Sequence, residues 1–466
     1  MSELHYLDLV EATRLIRTKE LSPLTYVEAL IARIEALEPK LNAFLDLTAE
    51  TALKAAREAE SKVARDESMG PLHGVPFGLK DIIDVAGLKT TAHSKILADN
   101  VAAEDAFVTA RLRSAGGILL GKLATHEFAL GGPSFDLPWP PARNPWNPRT
   151  MPGGSSSGAG AAVAAGMLPG ALGSDTGGSV RNPASCCGIV GIKPTYGRVS
   201  RRGVVPLSFA LDNIGPLTRT VADNACLLKA IAGHDAGDPA SARVPVPDFA
   251  ADLGKGVKGL KIGVIRHFYT RDLVAEPEMA AAIEAALETL SGLGAEIIEL
   301  SVEPLQVYAG CNRVILLAEA YAVHRKWLRE RPEDYAALTR ERLVGGAFIP
   351  AVEYVQALRA RRRLAAAFNA AIAPLDVVVT ASSMDPPCEI DDAEAIAGTY
   401  ARQARAPFNL TGNPALALPT GFSKSGLPLS MQIVGKPFDE TTVYRVAHAY
   451  EQATSWHRQR PPLAAA

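Results

Sequence analysis

"AAIEAALETLSGLGAEIIELSV", residues 281–302, reads as a helix, a glycine stop at Gly292 and Gly294, and then an apolar strand. The same alternation runs outward in both directions. From about 70 to 300, short apolar runs such as "GILLGKL" (117–123) and "GLKIGVI" (259–265) alternate with helical segments. "DVVVTAS" (376–382) and "PLSMQIVG" (428–435) add two more strands, and "ETTVYRVAHAYEQAT" (440–454) a last helix. Strands buried on both faces read as continuous apolar runs, so this pattern implies an α/β fold. Its expected centre is a mostly parallel or mixed β-sheet covered by helices on both faces.

Four stretches organise the expected single domain over 1–466. Residues 1–65 read as helical. There "SPLTYVEALIARIEALEP" offers Ser22 as N-cap, Pro23 at the first helical position and a stop at Pro39. Residues 70–300 form the alternating core and 303–400 a largely helical region. Residues 401–466 hold the closing strands and helix. The Ala- and Gly-rich run "GAGAAVAAGMLPGALG" (158–173) reads as one buried helix of small residues, too short and too interrupted to cross a membrane. The 48 basic and 50 acidic residues leave a net charge of −2, which gives no basis for nucleic-acid or anionic-membrane binding. Five cysteines, an odd number with two adjacent at Cys186 and Cys187, fit reduced thiols in a cytoplasmic protein better than a disulfide or zinc framework. The first residues lack a signal-peptide pattern.

Two glycine clusters invite chemistry: "GGSSSG" (153–158) and "GSDTGGS" (173–179). The first is no linker, because it runs straight into the apolar Ala-rich segment. Neither cluster is followed by the lysine of a phosphate loop. The near-match Gly116-x-x-x-x-Gly121-Lys122 places Leu123 where a hydroxyl is needed. Ser156 fits G-x-S-x-G formally, but a Pro-rich irregular segment precedes it where that motif wants a strand. In the second cluster, the glycines let the backbone turn sharply and present a row of N–H groups beside Ser179, the arrangement an oxyanion site needs. A nucleophilic serine requires a base. No histidine motif supplies one, so a buried lysine of lowered pKa is the alternative. Lys80 lies in the apolar run "HGVPFGLKDIIDVAG", either as that base or as an ion-pair partner of Asp81 or Asp84.

Together "GVPFGLKD" (74–81), "GGSSSG" and "GSDTGGSVRNPASCCGIVGIKPTYGRVSRRGVVPLSFALDNIGPLTRTVAD" (173–223) resemble the amidase signature family. "GKLATHEFA", "ARNPWNP", "FNLTGNPALALPTGF" and "MQIVGKPFDE" extend the likeness over roughly 5–455. The resemblance implies a Ser–cisSer–Lys triad with Ser179 as nucleophile, Ser155 as bridging serine after a cis Gly154–Ser155 bond, and Lys80 as base. It implies amide hydrolysis through an acyl-enzyme, with no cofactor and no metal.

Thr176, Gly177, Gly178 and Ser179 are the candidate oxyanion donors. Arg181 and Asp175 are expected to hold the loop, and Ser156 and Ser157 to bond at the start of the helix. Phe128 and Ala129 are substrate-side candidates. The loop 126–151 and the region 303–400 are the expected pocket walls, with Phe135, Trp139, Tyr308 and Ile349 among their apolar residues. The expected partner is a small-molecule amide, with a homodimer as the assembly allowed for. Within the family, Asn182 and "GVVPLSFALDNIGPL" lean toward a stand-alone amidase that could also take aryl amides, carbamates or esters. The alternative is the glutaminase subunit of a tRNA-dependent amidotransferase. An inactive scaffold would not need all three triad groups.

Overall fold

The computed structural model describes residues 4–67 and 69–464. Among these, eleven strands form one mixed sheet: β1 (Phe44–Leu47), β2 (Pro76–Lys80), β3 (Ile118–Leu123), β4 (Gly170–Asp175), β5 (Val190–Lys193), β6 (Asn213–Thr218), β7 (Lys261–Val264), β8 (Glu296–Glu299), β9 (Val377–Ala381), β10 (Ala415–Phe422) and β11 (Pro428–Gly435). Their spatial order is β1-β3-β2-β4-β6-β5-β10-β11-β9-β7-β8. β3, β2 and β4 run parallel, as do β9, β7 and β8, and antiparallel pairs join the two parallel ends. β2, β4, β5, β6 and β11 are buried at every residue. Helices therefore cover both faces, as the unbroken apolar runs require. The helices Ser157–Ala164 and Arg181–Cys187 pack together on one group of strands, while Val221–Ile231, Pro277–Gly292 and Glu440–Ala453 form the other layer.

The 281–302 stretch resolves as expected into the helix Pro277–Gly292 and β8. Ser22 caps the helix Pro23–Leu41 by accepting a hydrogen bond from the Thr25 N–H at 3.2 Å. That helix does not stop at Pro39. It runs on to Leu41 and ends at Asn42 in the left-handed region (φ 49°). Nor are residues 1–65 all helical, since Phe44–Leu47 pairs with β3 as an edge strand. The Ala-rich stretch 158–173 is likewise not one helix. Its helical part ends at Ala164, and Gly170–Asp175 becomes β4, where the near absence of large side chains lets neighbours pack close. No helix among the described residues is long and apolar enough to cross a membrane. All five cysteines are free.

Candidate active site

The parallel strands β2, β3 and β4 end at the same edge, and the loops leaving them meet there. Ligand sites in open α/β sheets favour such carboxyl ends. β2 ends on Lys80. The chain after β3 reaches His126, whose N–H donates to the Ser155 carbonyl at 3.0 Å. β4 runs into the Thr176–Ser179 turn. The N–H of Ser156 donates to the Ser179 carbonyl at 3.2 Å, so the two glycine clusters lie side by side.

Lys80 is fully buried, and its Nζ donates to Ser155 Oγ at 2.7 Å and to Ser174 Oγ at 2.9 Å. Among the described residues it has no carboxylate within ion-pair distance. Asp81 pairs instead with Lys122 at 2.7 Å, which gives the lysine of the false phosphate motif a structural use. Burial pushes the Lys80 amine down to about 7, against the weaker pull of Asp212 and Asp175. Lys193 is as buried and is also lowered to about 7, but its Nζ donates to the Pro194 carbonyl and, among the described residues, to no serine hydroxyl. Burial alone therefore does not single out Lys80; its serine partners do.

The peptide bond Gly154–Ser155 is cis. A side chain at 154 could not fit, because a Cβ there would lie 1.9 Å from the His126 ring. Ser155 is buried, whereas Ser179 is half-buried and, among the described residues, its hydroxyl has no protein partner. Among the described residues the N–H groups of Thr176, Gly177 and Ser179 also have no protein acceptor. Gly178 differs from expectation: its N–H donates to Asp175 Oδ1 at 2.8 Å and is not free to hold an oxyanion. Asp175 also accepts from the Val180 and Arg181 N–H groups, from the Arg181 guanidinium and from Asn409. Burial opposes its ionisation, but the Arg181 charge and these bonds outweigh burial and hold the carboxyl well below its usual range. Both partners of this ion pair are wholly inaccessible. Asp175→Asn is therefore expected to cost about 3–5 kcal/mol, as removing one member of a buried pair does. Denaturant midpoints would show it, and a loss below about 1 kcal/mol would contradict this role.

Ser156 and Ser157 hydrogen-bond at the helix start as expected, though not by capping its N–H groups. Ser156 Oγ accepts from the Ser174 N–H at 3.2 Å and donates to the Ser174 carbonyl, tying the helix start to β4. Ser157 Oγ donates to the Ala124 carbonyl at 3.4 Å. Ser174 and Asp212 carry no motif signal of their own. Period-two alternation along β4 turns Ser174 away from Asp175 and toward Lys80. The register of β4 against β6 ends at Asp175 opposite Asn213, which brings Asp212 within 2.6 Å of Thr176 Oγ1.

A cavity of about 600 Å³ opens beside Ser174 and Asp212, lined chiefly by apolar residues including Ile82, Val205, Leu207, Phe209 and Ile214. Its walls come from 196–214 and 237–240. From the 126–151 loop only Ala129 contributes, and from 303–400 no residue does. The Phe128 ring packs among His324, Trp327 and Tyr335 and is buried, and Tyr308 packs against Phe268. Trp139 stands edge-on to His93, while Phe135 is exposed. None of these four aromatic residues, Phe128, Phe135, Trp139 and Tyr308, lines this cavity.

A family model described as Amidase matches residues 25–444. The chain belongs to the amidase signature family. Amidase signature relatives and neighbours match it end to end. The A-type subunit of the glutamyl-tRNA(Gln) amidotransferase of Moorella thermoacetica is 40% identical, with all of both chains covered. The peptide amidase of Stenotrophomonas maltophilia superposes with a TM-score of 0.86 at 31% identity, covering 98% of each chain. A bacterial aryl acylamidase of the amidase signature family gives a TM-score of 0.89 at 26% identity, again over 98% of each chain. This amidase signature chain is accordingly a hydrolase of C–N bonds.

Proposed function

We propose that the protein is a stand-alone amidase that cleaves linear amides bearing an apolar group, through an acyl-enzyme on Ser179. The observation that carries this reading is the 2.7 Å bond between Ser155 and a buried Lys80 that has no carboxylate partner among the described residues. A lysine neutral near pH 7 can act as a base. In its neutral form the Lys80 amine takes the Ser155 hydroxyl proton as Ser155 takes that of Ser179. Ser179 Oγ then bonds to the amide carbon. The N–H groups of Thr176, Gly177 and Ser179 hold the negative oxygen, and Asp212 fixes Thr176 through its hydroxyl. The proton returns through Ser155 to the leaving nitrogen, the C–N bond breaks, and an ester remains on Ser179. Water, deprotonated by the same relay, hydrolyses that ester to the carboxylic acid.

The charged groups around the cavity are already engaged. Arg201 holds Asp238 and the Phe209 carbonyl, Arg202 holds Asp235, and Asp212 accepts from Thr176, Leu207 and Ser208. The apolar walls therefore favour an aryl or alkyl group over the paired charges of glutamine. Carbamates and esters would pass through the same acyl transfer. The 40% identical amidotransferase relative favours a second reading, glutamine hydrolysis as one member of a complex. A panel of anilides, carboxamides, carbamates and glutamine, read by amine or ammonia release, separates them. The purified chain should hydrolyse the apolar amides alone. Turnover of glutamine only, and only with amidotransferase partner chains added, would establish the second reading.

The pH dependence follows from Lys80. Because its pKa is lowered to about 7, the amine is protonated and inert as a base below that pH and free above it. With a neutral amide, kcat/KM should rise about tenfold per unit on the acid side and level off above an apparent pKa near 7. A flat profile between pH 5 and 8 would remove Lys80 as the base.

A further inference from the structure

Phe209 is 56% exposed and lines the cavity, so its ring is open to whatever enters there. Its backbone is nonetheless gripped from several sides. The Tyr196 hydroxyl and the Arg201 guanidinium both donate to the Phe209 carbonyl, at 2.8 and 2.6 Å. Before it, the Leu207 and Ser208 N–H groups donate to Asp212 at 2.9 and 3.0 Å. On either side of it, the Ser208 hydroxyl and the Ala210 N–H donate to one oxygen of Glu319, which stands on the helix Leu305–Glu330 and is itself buried. The other Glu319 oxygen accepts from the Tyr354 hydroxyl at 2.7 Å, on the helix Ala351–Ile372. Glu319 has no cationic partner among the described residues. Its bonds go to a tyrosine of the helix Ala351–Ile372 and to this one segment.

We propose that Phe209 is the specificity-determining residue of the cavity mouth, packing on the aryl or branched alkyl group of the amide, and that Glu319 is its positioning residue. This rests on the reading of the cavity as the substrate site. A surface loop normally moves, and ordering it on binding weakens affinity. Here the backbone of 207–210 is already fixed, and the ring has only two torsions to lose. Such a side chain offers large contact area at small entropic cost. Val205, Leu207, Ile214 and Ile82 continue the apolar surface inward from it. Glu319 touches no substrate and acts only by holding Ser208 and Ala210.

The test compares the aryl amide turned over fastest with a small alkyl amide such as propionamide. Phe209→Ala should raise KM for the aryl amide about tenfold, with kcat within about threefold, and should shift KM for propionamide far less, by about twofold at most. Glu319→Leu should give the same split between substrates. Glu319→Gln should largely restore wild-type values, because its amide oxygen can still accept from Ser208 and Ala210 while its NH2 faces Tyr354. Equal effects of Phe209→Ala on both amides, or no effect on either, would overturn the proposal. A shift in oligomeric state with KM unchanged would do the same, by making the ring an interface residue. If Glu319→Leu does not fold, Phe209→Ala decides alone. Methanesulfonyl fluoride, too small to need the cavity, keeps the two readings apart. If it labels wild-type Ser179 while Phe209→Ala shows no split, only the lip proposal fails. If it labels no serine in the wild type, the acyl-enzyme reading itself fails.

Discussion

Ser179→Ala is expected to lower kcat/KM for any amide substrate by at least about 10,000-fold, while leaving the fold and the substrate affinity nearly intact. The size follows from the role. Without the hydroxyl no acyl-enzyme forms, and only the oxyanion donors and binding remain to assist direct attack by water. The fold should survive because the Ser179 hydroxyl has no protein partner among the described residues, and the backbone carbonyl that accepts from Ser156 is untouched. Steady-state rates, with an unfolding curve and a substrate-binding isotherm for the variant, check all three parts. A residual rate within tenfold of wild type would show that another group attacks the amide.

Lys80→Met should cost nearly as much, about 1,000-fold or more, because a serine relay with no base cannot deprotonate the nucleophile. Methionine fills most of the same buried volume, which separates lost chemistry from a cavity in the core. Removing the amine also leaves the buried Ser155 and Ser174 hydroxyls without their partner, so a modest loss of stability, about 1–3 kcal/mol, is expected with the fold retained. The variant should also lose the acid limb of the pH profile, since the group titrating near pH 7 has gone. A variant with wild-type turnover, or one that keeps the limb, would assign the base elsewhere.

The elements legible in the sequence are those whose pattern is local. Ser22 and Pro23 announce a helix start because capping is a contact across three residues. The glycines after Leu290 mark a helix end in the same way. Pro39 misleads because it falls in the last turn, where only two more helical residues follow before Asn42 turns left-handed and ends the helix. β4 is hidden inside an Ala/Gly run, where neither the period of 3.6 nor that of two shows through such small side chains.

At the site, the resemblance points to Lys80, Ser155 and Ser179, and the cis bond it implies is present. The residue physics leaves Lys80 open between base and ion pair. Only the tertiary structure, by giving Asp81 to Lys122 and bonding Asp84 to Thr90, takes away both ion pairs. Gly178 looks equivalent to its neighbours until Asp175 claims its N–H, a contact across the turn that spacing does not encode. The aromatic-rich segments suggest cavity walls, yet Phe128 and Tyr308 are core, Trp139 stands against His93, and the exposed Phe135 does not line this cavity. The walls belong instead to the plainer stretch 196–214, brought beside β4 by strand register.

Mass spectrometry of the intact protein and its peptides after reaction with a small sulfonyl fluoride tests the central claim most directly. One adduct is predicted, on Ser179, forming faster as the pH rises through about 7 and absent in Lys80→Met. An adduct on Ser155, Ser156 or a histidine, or labelling of Ser179 at the same rate in Lys80→Met, would contradict it.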